Sequence, residues 1–306
     1  MKDKHLILVV GPTAVGKTAL GIQLAQYFHT EIISADSRQM YRELHIGTAV
    51  PTVEELGMAK HHFIKNKPVT EYYNVSMFEM EVLALLETLF QRYDVVIMVG
   101  GSTLYIDAVC HGIDDLPTVD LVLREQLMQK YKEEGIGFLR SQLKMLDPEH
   151  YQKVDLRNPN RMLKAIEISL AIGKPYSSLL TATRKERDFN IIKLGINRER
   201  GELFDRINKR VDQMIVAGLV DEVENLEPFR NYNALKTVGY SEIFDYLDGK
   251  VTLGQAIEQI KTNTRRYAKR QITWFSRYKT MPWFHPGQDA EIIDYINSQL
   301  IMRIKS

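Results

Sequence analysis

The sequence predicts an α/β fold, a parallel sheet flanked by helices, with an inserted helical domain. Three observations carry that expectation. Short apolar, β-branched runs stopped by glycine alternate with longer segments whose apolar residues recur at helical spacing, and such βαβ units place their strands parallel with helices on both faces. A glycine-rich turn ending in Lys17 and Thr18 follows the first of these runs. From about Asp114 the strand-like runs stop and helical patterns alone continue to about Asp188.

Residues 6–10 (LILVV) are apolar without alternation, the pattern of a strand covered on both faces. A helix is expected over 17–28, with Leu20, Ile22, Leu24 and Phe28 among its apolar positions. Residues 31–34 form a second candidate strand, and residues 95–99 a third, ended by Gly100 and Gly101. Between them 76–93 carries a helical pattern through Phe78, Val82, Leu86 and Leu89. Pro117 opens the helix-rich segment, and 191–195 reads as a strand returning to the sheet. The expected organisation is therefore a core of residues 1–113 and 189–306 with a helical insertion domain at 114–188. After Asn197 the chain is helical again, with Leu203, Ile207, Val211, Met214 and Ile215 in register. There is no internal repeat and no low-complexity tract.

At 306 residues and 44% hydrophobic content, the chain can bury a sizeable core and exceeds the usual size of one domain. No run approaches the roughly 18 apolar residues of a membrane span. The apolar run that follows Met1 to His5 and ends at Gly11 is too short for a signal peptide, so a cytoplasmic protein is expected, with no membrane partner. One cysteine, Cys110, can form neither an internal disulfide nor a zinc site, and without a His or Asn pattern beside it reads as a small core residue. His61 and His62 are adjacent, so their rings point apart in a strand or a helix and do not make a metal pair. The net charge of +1 argues against a nucleic-acid partner, but the average misleads: residues 261–279 hold seven Lys or Arg and no acidic residue.

Gly11-Pro12-Thr13-Ala14-Val15-Gly16-Lys17-Thr18 matches the phosphate-loop pattern G-x-x-x-x-G-K-[ST], between a predicted strand and a predicted helix. The fold expected is thus a P-loop NTPase-like parallel sheet flanked by helices. The glycines let backbone N–H groups turn toward phosphate oxygens, the helix N-terminus adds positive potential, Lys17 adds a point charge, and the Thr18 hydroxyl can ligate Mg²⁺. The loop recognises a diphosphate or triphosphate without saying what is attached. A phosphoryl-transferring NTPase needs a carboxylate at the end of a neighbouring strand, whereas 95–99 runs into Gly100-Gly101-Ser102.

The second strand is followed by Ser34-Ala35-Asp36-Ser37-Arg38-Gln39. A carboxylate at that strand end opens into the same crevice as the phosphates, so Asp36 can take a proton or hydrogen bond from a nucleophile, or meet Mg²⁺ through water. The same residues would equally serve as a helix N-cap.

These segments, with Ile46-Gly47-Thr48-Ala49, VGGSTLY at 99–105, Val238-Gly239-Tyr240 and KRQITW at 269–274, resemble the tRNA dimethylallyltransferase (tRNA isopentenyltransferase) family across nearly the whole chain and in the family's order. The resemblance implies transfer of a dimethylallyl group from dimethylallyl diphosphate to N6 of the adenosine 3′-adjacent to the anticodon in tRNA. Under it, Gly11 to Thr18 clamp the departing diphosphate with Mg²⁺, and Thr13 contacts substrate. Asp36 meets the exocyclic amine, an amidine-like and poor nucleophile that gains from a positioned base. Ser102 stands where the family commonly has threonine, keeping the hydroxyl and losing a methyl. Arg210 matches a diphosphate-associated arginine, although its local pattern also fits a solvated helix face.

The resemblance further implies tRNA contacts at Asp36, Ser37, Arg38, Gln39, Ser102, Arg124, Arg161, Lys164, Gly239, Tyr240, Lys269, Arg270, Gln271 and Trp274. Within 261–279 the cations are interleaved with Tyr267, Trp274, Phe275 and Tyr278, a combination suited to an unpaired RNA loop, or to a solvated helix whose aromatics face the core. Chemistry on N6 requires the base to leave its stack, so the insertion and the basic C-terminal region are expected to hold the anticodon stem-loop. A monomer is expected. The rival reading from the loop alone is a small-molecule kinase that binds ATP, and a non-catalytic RNA-binding protein is a more distant one.

Overall fold

The structure, a computed structural model, describes residues 3–304 except 115, 118, 119, 182 and 183. The chain divides into two compact units, Met1–His111 with Glu186–Ser306, and Gly112–Lys185.

The first unit begins with β1 (His5–Val10), α1 (Lys17–Tyr27), β2 (Ile32–Ala35), α2 (Val53–Met58), β3 (His61–His62), α3 (Val75–Leu89), β4 (Val95–Gly100) and α4 (Thr103–His111). The second unit holds α5 (Leu121–Glu134), α6 (Ile136–Leu146), α7 (Pro148–Lys153) and α8 (Pro159–Ile172). The chain returns to the first unit with β5 (Asn190–Ile196), α9 (Arg200–Val216), α10 (Leu219–Asn225), α11 (Tyr240–Leu247), α12 (Leu253–Phe275), β6 (Trp283–Phe284) and α13 (Asp289–Ile304).

The six strands form one sheet in the order β3-β2-β4-β1-β5-β6, and every neighbouring pair is parallel. The unbroken apolar sequence of β1 follows from its central place. Leu6, Leu8 and Val10 point into one core with Phe78 and Val82 of α3 and Ile243 of α11, while Ile7 and Val9 point into the opposite core with Leu20 and Leu24 of α1, Leu203 and Ile207 of α9, and Ile292 of α13. Both faces exclude water, so residues 6–10 are all apolar, and His5 at the strand's start is its one polar residue.

The strands expected over 6–10, 31–34, 95–99 and 191–195 are all present, displaced by one residue at most at either end. The helix expected over 76–93 stops at Leu89, where the Phe90 amide is already shared between Leu86 and Thr88 carbonyls as the last turn tightens. β3 and β6 escaped the sequence reading because two residues cannot display a period.

Register aligns the carboxyl ends. Val10 pairs with Gly100 on one side and Gly195 on the other, and Ala35 also pairs with Gly100. The loops that leave β1, β2 and β4 therefore emerge side by side, where ligands of open parallel sheets bind. In the second unit α5, α6 and α8 pack around Leu127, Leu139, Leu143, Met162 and Ile166. There the fully buried Asp147 caps α7 through His150 N and also accepts from Ser177 N and Oγ.

Candidate active site

The loop from β1 to α1 holds Ala14 at φ 64° and Gly16 at φ 112°. Left-handed residues set between right-handed ones turn successive N–H groups into one concavity, the anion-binding form of backbone, and at Gly16 the angle is one that a side chain would oppose. The carbonyls are tied from outside: Arg206 Nε donates to Ala14 O and Arg198 Nε to Val15 O, both at 2.9 Å. From within, Lys17 Nζ donates to Pro12 O at 2.7 Å and Gly11 O at 3.0 Å. Burial brings the Lys17 ammonium down to about 7, with Asp36 opposing the shift and Arg210 adding to it.

Asp36 follows β2 and does what a cap does: its Oδ1 accepts from Arg38 N at 2.9 Å and Gln39 N at 3.3 Å. It also lines the crevice beside Lys17. The two alternatives left open by the sequence are thus compatible, because one carboxylate oxygen suffices for the turn. Ser102, at the start of α4, is buried, and its hydroxyl oxygen accepts from Ser37 N at 2.8 Å, so the β4 end holds the Asp36 turn in place. Tyr267 of α12 reaches the same hydroxyl, and burial, reinforced by Asp36, pushes the phenol's titration up.

Arg210 of α9 is half-buried and faces the phosphate loop. Its guanidinium lies 3.4 Å from Thr13 Oγ1 and 3.5 Å from Ala49 O, and burial lowers its titration against the pull of Asp36. Two cavities meet here. The larger, about 560 Å³, is lined by Gly16, Lys17, Thr18, Arg206 and Lys209; the smaller, about 230 Å³, by Ser37, Arg38, Gly239 and Tyr267. Thr13, Asp36, Thr48 and Arg210 line both.

Other residues singled out from sequence have different places. Gln271 is buried, its Oε1 accepting from Thr13 N at 2.8 Å and its Nε2 donating to Gly101 O at 2.9 Å, so both ends of the amide are spent within the protein. Tyr240 is fully buried and donates to Glu222 at 2.6 Å. Gln39 donates to Thr48 O and Ala49 O. Lys269 and Arg270 are exposed on α12, where they border a groove with Arg266, Thr273, Trp274 and Arg277. The Trp274 indole donates to Asp107 at 2.8 Å and carries Arg277 over its face at 4.3 Å. Within the second unit Arg124 pairs with the buried Glu167 at 3.0 Å, Arg161 is exposed at the first turn of α8, and Lys164 lies one turn on. His61 and His62 point to different partners, Ala59 O and Glu31. Cys110 is buried and free, its thiol pushed up to about 11 by burial.

The IPP transferase family model matches residues 39–278, most of the chain. The chain belongs to the IPP transferase family. It is similar to tRNA dimethylallyltransferase 1 of Bacteroides fragilis, 51% identical over 98% of this chain and 100% of the relative. Among solved structures it resembles the tRNA isopentenylpyrophosphate transferase of Bacillus halodurans (TM-score 0.73, 36% identity, 99% of each chain). It also resembles a eukaryotic dimethylallyltransferase acting on tRNA (TM-score 0.76, 25% identity, 96% of this chain and 80% of the other). As an IPP transferase the chain is a prenyl-transferring enzyme on a P-loop NTPase-like fold, and the kinase alternative is not favoured.

In this IPP transferase, sequence reasoning passed over Arg198, Arg206 and Glu222, and read Tyr267 as one of the aromatics of the basic segment without its link to Ser102. No motif marks the first three, and the backbone groups they hold lie far along the chain. The one available signal was the positive spacing of α9, where Arg206 sits one turn before Arg210. No described helix is long and apolar enough to cross a membrane.

Proposed function

We propose that this chain transfers the dimethylallyl group of dimethylallyl diphosphate to N6 of the adenosine immediately 3′ of the anticodon of tRNA, releasing diphosphate. The observation that carries this reading is the junction of two cavities at Thr13, Asp36, Thr48 and Arg210. A diphosphate in the larger cavity would lie against the phosphate loop and the cations Lys17, Arg206, Lys209 and Arg210. An adenine extruded from its stack would enter the smaller one, so that amine and prenyl carbon meet beside Asp36. The N6–C1 bond forms as the C1–O bond breaks, the electron pair leaves on the diphosphate, and the N6 proton passes to the Asp36 oxygen not held by the turn. Lys17, the loop amides and Arg210 stabilise the charge that grows on the leaving group.

Mg²⁺ fits this chemistry. Thr18 lines the larger cavity, and no group of three or more His, Cys, Asp or Glu among the described residues forms a protein cage, as expected of an ion shared with a diphosphate. Thr18, with Asp36 through water, would hold it, and when bound it neutralises charge on the leaving diphosphate.

The C-terminal helices of the core serve in this reading as the tRNA-binding region, with Lys269, Arg270 and Trp274 on the RNA face of α12. Arg124, Arg161 and Lys164 of the helical insertion, taken as 114–188, make further RNA contacts, and Ser37, Arg38 and Gly239 line the adenine's entry. Tyr240 and Gln271 contribute from behind, by fixing the walls. The enzyme then works as a cytoplasmic monomer, where tRNA is met.

The test is incubation of the protein with unmodified tRNA, labelled dimethylallyl diphosphate and Mg²⁺, alongside Asp36→Asn and Asp36→Ala. Asparagine keeps an acceptor for the Arg38 amide and removes the base, so its turnover should fall by roughly 10²- to 10⁴-fold with the melting temperature kept. Asp36→Ala should lose both. Unlabelled tRNA together with ATP consumption on a small acceptor would sink the reading.

A further inference from the structure

The segment that forms the wall between the two cavities has no regular structure of its own, so something must hold it. Gly47, Thr48 and Ala49 line the smaller cavity, and Thr48 also lines the larger. The carbonyls of Thr48 and Ala49 accept the Gln39 amide, and Ala49 O also lies 3.5 Å from Arg210 Nη2. Gln39 N in turn donates to Asp36. Whatever fixes residues 45–49 therefore sets where Arg210 and the Asp36 turn sit.

That anchor comes from another element. Glu222 of α10 accepts from three successive backbone amides, His45 N at 3.2 Å, Ile46 N at 2.8 Å and Gly47 N at 3.2 Å, and from the Tyr240 hydroxyl at 2.6 Å. The carboxylate thus acts as a built-in anion in a backbone concavity, with charge-assisted bonds stronger than neutral ones. Tyr240 completes the seat from below: a Cβ at Gly47 would come within 2.5 Å of its ring, so ring and loop touch directly. The phosphate loop has separate supports in Arg198, Arg206 and Gln271.

We infer that Glu222, seated by Tyr240, is a positioning residue for the prenyl transfer: it fixes the 45–49 wall against which Arg210 and the Asp36 turn are aligned, without itself touching substrate. The inference rests on the function proposed above. It separates two effects, because the wall is held by Glu222 while the phosphate loop is held by Arg198, Arg206 and Gln271.

The test uses Glu222→Gln in the full chain, which keeps the shape but puts an amide donor where four donors converge, with Tyr240→Phe as the milder variant that removes one bond. Three quantities are read: kcat for tRNA labelling, the Kd of inorganic diphosphate, and amide hydrogen exchange at Ile46 and Gly47. For Glu222→Gln, kcat should fall by roughly 10- to 100-fold, as expected when reacting groups are misplaced by about an ångström. Diphosphate Kd should rise by less than kcat falls, because, of its cations, only Arg210 leans on the wall, while the phosphate loop keeps its own hydrogen bonds. Exchange at Ile46 and Gly47 should accelerate, and Tyr240→Phe should move kcat and exchange the same way by less. Unchanged exchange, or faster exchange with kcat retained, overturns the inference, as does a joint loss of kcat, diphosphate binding and melting temperature in Tyr240→Phe. A wild-type protein that labels no tRNA would defeat the functional reading instead, and the exchange measurement would still show whether Glu222 holds the wall.

Discussion

Gln271 accepts the amide hydrogen of Thr13 at 2.8 Å across 258 residues of sequence, and so suspends the phosphate loop from the 23-residue helix α12. The same side chain donates to Gly101 O, which joins the end of β4 to that loop. A helix whose outer face carries exposed cations thus reaches the diphosphate cradle with its inner face.

Replacing this side chain by leucine leaves Thr13 N–H and Gly101 O without their partner. Gln271→Leu should lose about 1–3 kcal/mol of stability, the cost of unpaired buried polar groups. It should also weaken inorganic diphosphate binding, because Thr13 is no longer held. Denaturant unfolding reads the first effect and titration calorimetry the second. A destabilised variant that binds diphosphate as the wild type does would break the link between α12 and the cradle.

Lys17 couples the site to pH. Its titration in the folded protein lies at about 7, below the 10.5 of an unhindered lysine, because burial disfavours the ammonium. The folded chain therefore binds this proton less tightly than the unfolded one. Between those two pH values Lys17 makes stability rise with pH, and below about 7 the full cost of the buried charge is present. A bound diphosphate restores the ammonium, so binding should take up a proton above pH 7 and weaken as pH rises further. Calorimetry at pH 8 in buffers of different ionisation enthalpy should show an uptake approaching about one proton more for the wild type than for Lys17→Arg, whose guanidinium stays charged. Equal uptake in the two proteins would remove Lys17 as the source.

Ser102 holds the Asp36 turn through the Ser37 amide. Ser102→Ala should lower kcat by roughly five- to tenfold, the value of one neutral hydrogen bond of about 1 kcal/mol. Ser102→Thr keeps the hydroxyl and should stay within about threefold of the wild type. Steady-state labelling of tRNA measures both, and an alanine variant with unchanged kcat would show that the turn is held without this bond.

Much of the architecture was legible because its signals are local. The continuous apolar run of β1, the period of α1 and the glycine-and-lysine spacing between them are contiguous in sequence, and each states its own requirement: two buried faces, one buried face, a backbone concavity. Asp36 was legible as a strand-end carboxylate for the same reason, down to its cap-like hydrogen bonds. The two-residue edge strands were not, since their pairing exists only once β2 and β5 are in place.

Which side chains face inward was decided by tertiary structure. Gln271 and Tyr240 sit in motifs that also carry exposed or cavity-lining residues, yet both are buried, and Arg210, on an amphipathic helix, turns toward Thr13. Arg198, Arg206 and Glu222 acquire their roles from carbonyls and amides more than 170 residues away. The sequence by itself determined the four central strands, the phosphate loop and the carboxylate beside it, because periodicity and spacing act over neighbouring residues. Only the folded chain decided how that loop is suspended and how the wall opposite Asp36 is held, because a hydrogen bond across half the molecule leaves no local pattern to read.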